Sequence, residues 1–243
     1  MLTFLPLGDQ AAMAYFPDEA AAQSFAVAVR SANPPWLVDV VQAYMSVAVF
    51  FDQARTNFTQ ASAMLQEWLV VSGQWSERQQ DLSRATGQAA GHWPLATRHY
   101  RIPCCYEFQL DLARVAEHVH LAPEEVIRMH LETEYTVYAI GFCPGFPFLG
   151  YLPPALCGVP RLDSPRPRLE AGSVGLTGRQ TGIYTEPRPG GWNILGRTPL
   201  ELVHVADNYF PLRTGDKVQF TRVDQAEFQR LKGQWLGDNS LSS

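Results

Sequence analysis

Residues whose chemistry suits anion binding are concentrated in the stretch AGSVGLTGRQTGIYTEPRPGGWNILGRTP, residues 171–199. Seven glycines lie within these 29 residues. Glycine lets a ligand approach the main chain and frees backbone N–H groups to point at an anion. Hydroxyl and amide side chains interleave with the glycines and add short polar contacts. The pattern is typical both of an anion-binding cradle and of tight turns between barrel strands, and its spacing alone leaves both interpretations open.

Substrate-binding candidates come from this stretch: Gly172, Ser173, Gln180, Thr181, Tyr184, Gly190, Gly191 and Trp192. We expect Ser173, Gln180 and Thr181 to line one polar concavity and to contact a small anionic substrate. Ser173 is expected to position that substrate and not to attack it, because no histidine lies near it in sequence to act as its base.

Catalytic candidates are His130, Arg166 and Arg197. Arg166 precedes the glycine-rich stretch and Arg197 lies near its end, and a guanidinium offers a planar fork that matches a carboxylate or phosphate. His130 lies on the apolar side of a predicted helix. A hydrogen-bonded core histidine is the commoner outcome there, and a general acid–base role is the alternative because the pKa of histidine lies near neutrality.

An aromatic turn-rich segment, GFCPGFPFLGYLPP, occupies residues 141–154. Half of its residues are glycine or proline, which do not extend a helix or a central strand. Phe142, Phe146 and Phe148 therefore either pack over a core or form a wall beside the glycine-rich stretch. We expect them to line a pocket or to face a partner protein, since aromatic residues are enriched in interface cores.

Several function classes are disfavoured by missing patterns. The sequence contains neither the GxxxxGK of a P-loop nor GxGxxG. It has no HExxH, and its cysteines (Cys104, Cys105, Cys143 and Cys157) form no CxxC, so we predict no metal site and reduced cysteines. The net charge of −5 disfavours a nucleic-acid partner. No apolar run reaches the ~20 residues that span a bilayer, and no charged secretory start is visible, so we expect a cytoplasmic protein without membrane association.

The first hundred residues predict mixed helix and strand in the order ββαββα, which fits an α+β layer. Two strands flank the turn Gly8-Asp9, and an alanine-rich helix follows from 18 to 30. Two further strands cover 37–44 and 46–51, and Asn57 caps a second helix. Residues 72–96 are polar, with little periodicity, and are predicted to form a linker.

The rest of the chain begins with a strand at HYRIPCCY and two helices, the first capped by Asp111 and the second opened by Pro123. Short apolar runs separated by turn signals then predict the strands of a barrel or sandwich, at 174–176, 183–184, 192–195, 200–205 and 217–223.

The motifs GFCPGFPFLGYLP, PRLDSPRPRLEAGSVGLTGRQTGIY and PGGWNILGRTP, in this order, resemble the family of KipI, allophanate hydrolase subunit 1 and the B-type subunit of 5-oxoprolinase. The resemblance extends through HYRIPCCY, EEVIRMH and YTVYAIGF and spans about residues 5 to 221. It implies an α+β fold, with an N-terminal ferredoxin-like α+β domain over 1–95 and a C-terminal cyclophilin-like β-barrel over 96–235.

The resemblance also implies a function: the B-type subunit of an ATP-dependent 5-oxoprolinase, which opens 5-oxo-L-proline to L-glutamate. The implied partners are a second, C-type subunit of the 5-oxoprolinase or allophanate hydrolase complex and a LamB/YcsF-type protein. The implied cofactors are ATP and Mg²⁺, shared with the partner. The chain is expected to be inactive alone. Two alternatives stay open, a KipI-like inhibitor of a histidine kinase and subunit 1 of an allophanate or urea amidolyase hydrolase.

Overall fold

A computed structural model of the protein describes residues 2–69 and 97–237. The chain divides into two compact units, Met1–Ala96 and Thr97–Ser243. The linker predicted at 72–96 lies outside the described residues. None of the helices in the described ranges has the length and apolarity to cross a membrane. The expected cytoplasmic location stays a prediction.

Over residues 2–69, the first unit is a four-stranded antiparallel sheet with two helices. Its elements are, in chain order, β1 Leu5–Leu7, β2 Ala11–Tyr15, α1 Glu19–Ala32, β3 Leu37–Ala43, β4 Ser46–Phe51 and α2 58–69. The strands pair in the order β1-β2-β4-β3. This is the predicted order of elements, and its helix starts follow the sequence closely because local hydrogen bonds define them. Asp18 accepts a bond from the N–H of Ala21 at 2.7 Å, and Asn57 accepts one from Gln60 at 3.0 Å.

Over residues 97–237, the second unit is a mostly antiparallel sheet with three α-helices. Its helices are α3 Leu112–Val119, α4 Pro123–Glu132 and α5 Gln225–Leu231. Its strands are β5 His99–Cys104, β6 Glu134–Ile140, β7 Pro147–Gly150, β8 Arg166–Leu169, β9 Ser173–Thr177, β10 Gln180–Ile183, β11 Arg188–Gly190, β12 Asn193–Arg197 and β13 Lys217–Arg222.

Seven of these strands pair along one path, β5-β13-β6-β7-β10-β9-β12, in which only β5 and β13 run parallel. The two ends of the path meet, because the backbones of Cys105 and Arg197 exchange hydrogen bonds of 2.8 and 3.0 Å. β8 and β11 form a separate two-stranded ribbon. The path therefore closes into a ring of strands around a buried apolar core.

Two local predictions about this unit are wrong. Residues 200–205 form no strand; Glu201 and His204 make only isolated bridges with Trp235 and Tyr209. Asp111 occupies the position before α3, but its carboxylate does not cap the helix, and Gln109 accepts the bond from the N–H of Leu112 instead. Both errors arise because tertiary partners compete with local propensity.

All four cysteines are free. Cys104 and Cys105 are both buried, although they are adjacent in the chain. Cys104 is the last residue of β5, and the backbone of Cys105 pairs with that of Arg197.

Candidate functional site

A cavity of about 280 Å³ opens in the second unit. Its walls come from the aromatic turns before and within β7, from the segment before β8, and from β11 and the turn after it. The lining residues are Phe142, Phe146, Phe148, Arg161, Pro165, Tyr184, Pro189, Gly190, Gly191 and Trp192. We call this cavity the aromatic pocket. It brings together the three phenylalanines predicted to form a wall and four of the predicted substrate-binding residues.

The aromatic wall is centred on Phe146, which is 1% exposed. The centroid of its ring lies 5.5 Å from that of Trp192, and the two ring planes are 88° apart. The corresponding values for Tyr184 are 5.2 Å and 83°. Phe148 lies 4.9 Å from Phe146. Edge-to-face contacts of this kind favour one arrangement of the rings. The wall is therefore preformed, and Phe142, which is 61% exposed, extends it to the rim.

Gly190 shapes the floor beside Tyr184. A side chain at Gly190 would collide with the hydroxyl and ring of Tyr184 and with Leu169. Burial raises the pKa of the Tyr184 phenol above its ordinary value. Tyr184 is therefore neutral near pH 7 and keeps its proton for donation to an acceptor.

Arg161 is the one cation among the described residues that line the aromatic pocket. No residue in the ranges 2–69 and 97–237 makes a hydrogen bond or ion pair with its guanidinium. Arg161 is one of six arginines between residues 161 and 197, and the sequence analysis did not single it out as a site residue. The signal was the density of arginine between 161 and 197, which could not say which of the arginines lacks a partner.

Arg166 lies five positions further along the chain and is engaged internally. Its two terminal nitrogens contact both carboxylate oxygens of Asp111 at 2.7 and 3.0 Å. The same carboxylate accepts the N–H of Ile194 at 2.7 Å. The side chain of Asp111 is 5% exposed and that of Arg166 is 28% exposed. The fork expected to bind a substrate anion thus ties the start of β8 to β12 and to the turn before α3.

His130 is fully buried within a hydrogen-bond chain. Its Nδ1 lies 2.7 Å from the Tyr106 hydroxyl and its Nε2 lies 3.0 Å from Thr181 Oγ1. Because Thr181 donates its only hydroxyl proton to the carbonyl of Gly175, it accepts from Nε2–H, and Tyr106 donates to Nδ1.

Burial lowers the pKa of His130 to about 3. The ring also stacks on Phe220 at 4.6 Å. A histidine that stays neutral near pH 7, with both nitrogens engaged, is poorly suited to exchange protons with a substrate. The geometry supports the core interpretation of His130.

The remaining candidates lie apart from the pocket lining. Ser173 is 5% exposed and donates to the carbonyl of Glu170 at 2.7 Å. Thr181 is fully buried against His130. Gln180 is half-buried in β10. The structure therefore does not bring these three into one concavity with the aromatic pocket.

Gly172 and Arg197 hold the backbone near the end of β12. The N–H of Gly172 donates to the carbonyl of Tyr184 at 2.7 Å, and Gly172 adopts a φ of +84° that favours glycine. Its N–H is therefore not free for an anion. Arg197 Nε donates to the carbonyl of Ala171 at 2.8 Å, and its guanidinium lies over the Phe228 ring.

Within the described residues, no group of three or more His, Cys, Asp or Glu side chains is placed to hold a metal ion. The described lining of the pocket contains no carboxylate. Its chemistry is that of an apolar slot with one cation and one phenol, which fits a small anion and not a cation or metal.

Comparison with known proteins extends this description. A family model described as carboxyltransferase domain, subdomain C and D, matches residues 2–211. The B-type subunit of 5-oxoprolinase from Bacillus subtilis (strain 168) is 35% identical over 237 residues, covering 93% of this chain and 95% of that protein.

Solved structures share the fold of this chain. The crystal structure of TTHA0988 superimposes with a TM-score of 0.69 at 32% identity over 89% of this chain, which spans 40% of that longer chain. The K. lactis urea amidolyase gives a TM-score of 0.68 over 97% of this chain and 16% of its own length. Its 16% identity shows a shared fold alone.

The family model covers most of the chain, and the Bacillus subtilis relative matches nearly all of it. This chain therefore belongs to the carboxyltransferase subdomain C and D family, among the proteins related to KipI, allophanate hydrolase subunit 1 and the B-type subunit of 5-oxoprolinase.

Proposed function

We propose that the chain is the B-type subunit of an ATP-dependent 5-oxoprolinase that opens 5-oxo-L-proline to L-glutamate. The observation that carries the proposal is the 35% identity to the B-type subunit of the Bacillus subtilis 5-oxoprolinase, across 93% of this chain and 95% of that protein. The chain acts in a complex with a C-type partner and a LamB/YcsF-type protein, and it is inactive alone.

The reaction adds water across the lactam C–N bond: hydroxide joins the carbonyl carbon and a proton joins the ring nitrogen as it leaves. An amide is a poor electrophile; ATP, when bound, would supply a phosphoryl group to the carbonyl oxygen and so make the carbonyl carbon a better electrophile, with ADP and phosphate as the products. This chain contributes binding and orientation. Its aromatic wall holds the flat ring and excludes water from it, which strengthens every polar contact inside the pocket.

The described part of the chain offers no cluster of ligands for a metal. Mg²⁺ bound with ATP would take most of its ligands from phosphate oxygens and water, in a cleft shared with the partner. Of the predicted catalytic residues, Arg166 and Arg197 act in this proposal by holding the strands behind the pocket, and His130 acts as a buried core residue.

The domain assignment follows the same family. We assign residues 1–95 to a ferredoxin-like domain and 96–235 to a cyclophilin-like barrel. The antiparallel sheet with two helices supports the first, and the ring joined between Cys105 and Arg197 supports the second.

The test is reconstitution. The chain is co-expressed with its C-type and LamB/YcsF-type partners, and glutamate and phosphate are measured with 5-oxo-L-proline and ATP. We expect glutamate formation that requires all three proteins and ATP. Hydrolysis of allophanate without action on 5-oxoproline would favour the amidolyase alternative. Inhibition of a histidine kinase by a chain that yields no glutamate in any assembly would favour the KipI-like alternative.

A further inference from the structure

We propose that Arg161 binds the carboxylate of a small ring compound held in the aromatic pocket. The inference deepens the proposed function and rests on it for one point only, the choice of 5-oxo-L-proline as the ring carboxylate. The chemical class itself follows from the pocket.

The first observation is that Arg161 differs from every other arginine between 161 and 197. Each of the other five has a partner within the chain. Those partners are Asp111 for Arg166, Glu170 for Arg168, the Tyr151 ring for Arg179, Glu186 for Arg188 and the Ala171 carbonyl for Arg197. In the described residues the guanidinium of Arg161 makes none of these contacts, yet it lines a cavity. Its fork is free to take a carboxylate by two parallel hydrogen bonds.

The second observation is that the backbone carrying Arg161 is held on both sides. The carbonyl of Pro160 accepts from the side-chain amide of Asn193 at 2.9 Å, and the N–H of Leu162 donates to the carbonyl of Gly191 at 2.8 Å. The Asp111 contact to Arg166 anchors the far end of the same segment. Because the backbone is already ordered, binding has to restrain only the Arg161 side chain.

The third observation concerns the opposite polar group. Tyr184 lines the pocket with its phenol, and no hydrogen bond among the described residues takes its phenolic proton. The pocket therefore offers two kinds of donor, a charged fork and a neutral hydroxyl, and its described lining holds no carboxylate. Arg161 and Tyr184 line the same cavity. This combination matches an anion that also carries a neutral acceptor.

The fourth observation is size and shape. The cavity of about 280 Å³ lies at the lower limit of pockets for drug-sized ligands, so its occupant is smaller than those. Rings of Phe146, Phe148 and Trp192 form one side, and a planar ring packs well against such faces. A flat five- or six-membered ring with one carboxylate fits these limits.

The experiment measures binding to the chain in complex with its C-type partner, by isothermal titration calorimetry. Three probes are used: 5-oxo-L-proline, 2-pyrrolidinone, which is the same ring without the carboxylate, and inorganic phosphate. We expect 5-oxo-L-proline to bind at least about tenfold more tightly than either other probe. The variant Arg161→Gln should weaken its binding about 10- to 100-fold, since a hydrogen bond to a charged group contributes that much. It should leave 2-pyrrolidinone binding unchanged.

Arg168→Gln is the matched control, because Arg168 lies in the same segment, is exposed and pairs with Glu170 away from the pocket lining. It should bind all probes as the unaltered chain does. Arg161→Lys keeps the charge without the fork. Its affinity for 5-oxo-L-proline should lie between that of Arg161→Gln and that of the unaltered chain. Equal binding of 5-oxo-L-proline and 2-pyrrolidinone, unaltered binding by Arg161→Gln, or tighter binding of phosphate would each overturn the inference. Loss of partner association in Arg161→Gln, with ring binding intact, would overturn it in favour of a contact with the partner.

Turnover in the full assembly separates the two proposals. If the assembly hydrolyses 5-oxo-L-proline and Arg161→Gln leaves KM unchanged, the proposed function stands and this inference fails. If the assembly gives no glutamate but a panel of ring carboxylates binds in an Arg161-dependent manner, the proposed function fails and this inference stands.

Discussion

The buried polar groups of the second unit and its aromatic pocket use similar residues in opposite ways. In the interior, His130 is engaged by Tyr106 and Thr181, and Arg166 is engaged by Asp111. In the pocket, Arg161 faces a cavity without a partner among the described residues. Both regions combine aromatic rings with a histidine or arginine side chain, so residue type alone does not distinguish them. The difference teaches that a polar group's availability, and not its identity, separates a structural role from a binding role.

Removing the ion pair between Asp111 and Arg166 should have the largest effect on the free energy of unfolding. Asp111→Ala leaves the partly buried Arg166 without its carboxylate and the N–H of Ile194 without an acceptor. Removing one partner of a buried pair costs about 3–5 kcal/mol, so we expect a loss of this size in the free energy of unfolding, measured by urea denaturation. Asp163→Ala, in a loop position, is the control and should change it by less than about 0.5 kcal/mol. An unchanged free energy of unfolding in Asp111→Ala would show that the pair does not stabilise the fold.

Acid should act on the interior through His130. The unfolded histidine takes up a proton near its ordinary pKa of 6.5, whereas the folded one does so only near pH 3. Below pH 6.5 protons therefore favour the unfolded chain. We expect the contribution of His130 to be complete above that pH and to fall by up to about 1.4 kcal/mol per pH unit as the pH drops toward the folded pKa.

Urea denaturation from neutral to acidic pH measures this slope, and His130→Gln, which cannot take up a proton, should flatten it. An unchanged slope in that variant would mean that other groups carry the acid sensitivity. A rise in stability on acidification that depends on His130 would contradict its buried, neutral state.

The adjacent glycines Gly190 and Gly191 provide a matched test of the shape of the aromatic pocket. A methyl group at Gly190 would collide with Tyr184, whereas one at Gly191 would have no neighbour closer than 3.6 Å. Gly190→Ala should therefore destabilise the chain by about 1–3 kcal/mol and weaken binding of 5-oxo-L-proline as Tyr184 is displaced. Gly191→Ala should fold normally. Thermal unfolding and calorimetry of the two variants check this, and identical behaviour would mean that the Tyr184 position is not restrained by Gly190.

Ser173 provides the smallest expected effect. Its hydroxyl donates to the carbonyl of Glu170 and lies outside the pocket lining. Ser173→Ala should cost about 1 kcal/mol of stability, the usual contribution of one hydrogen bond, and leave KM for 5-oxo-L-proline unchanged. Steady-state kinetics of the full assembly measures this. Complete loss of turnover in a folded Ser173→Ala chain would show that Ser173 takes part in the reaction.

The sequence by itself determined the local elements and the family. The hairpin at Gly8-Asp9 and the helix starts at Asp18 and Asn57 follow from contacts between residues close together in the chain. The ordered motifs between 141 and 199 identified the relatives. The aromatic wall was also predictable as a wall, because three phenylalanines on a turn-rich backbone need a surface to cover.

Only the tertiary structure decided which polar residues are available. Asp111 and Arg166 are 55 positions apart, and His130 and Thr181 are 51 apart. No local pattern predicts such pairings, so sequence reasoning chose Arg166 and His130 as catalytic candidates and passed over Arg161. Pairing depends on distance in the folded chain. A guanidinium or an imidazole nitrogen that is bonded within the fold is not available to bind a substrate, although the residue type is the same. What the folded chain leaves unpaired at a cavity is therefore set by packing, not by composition.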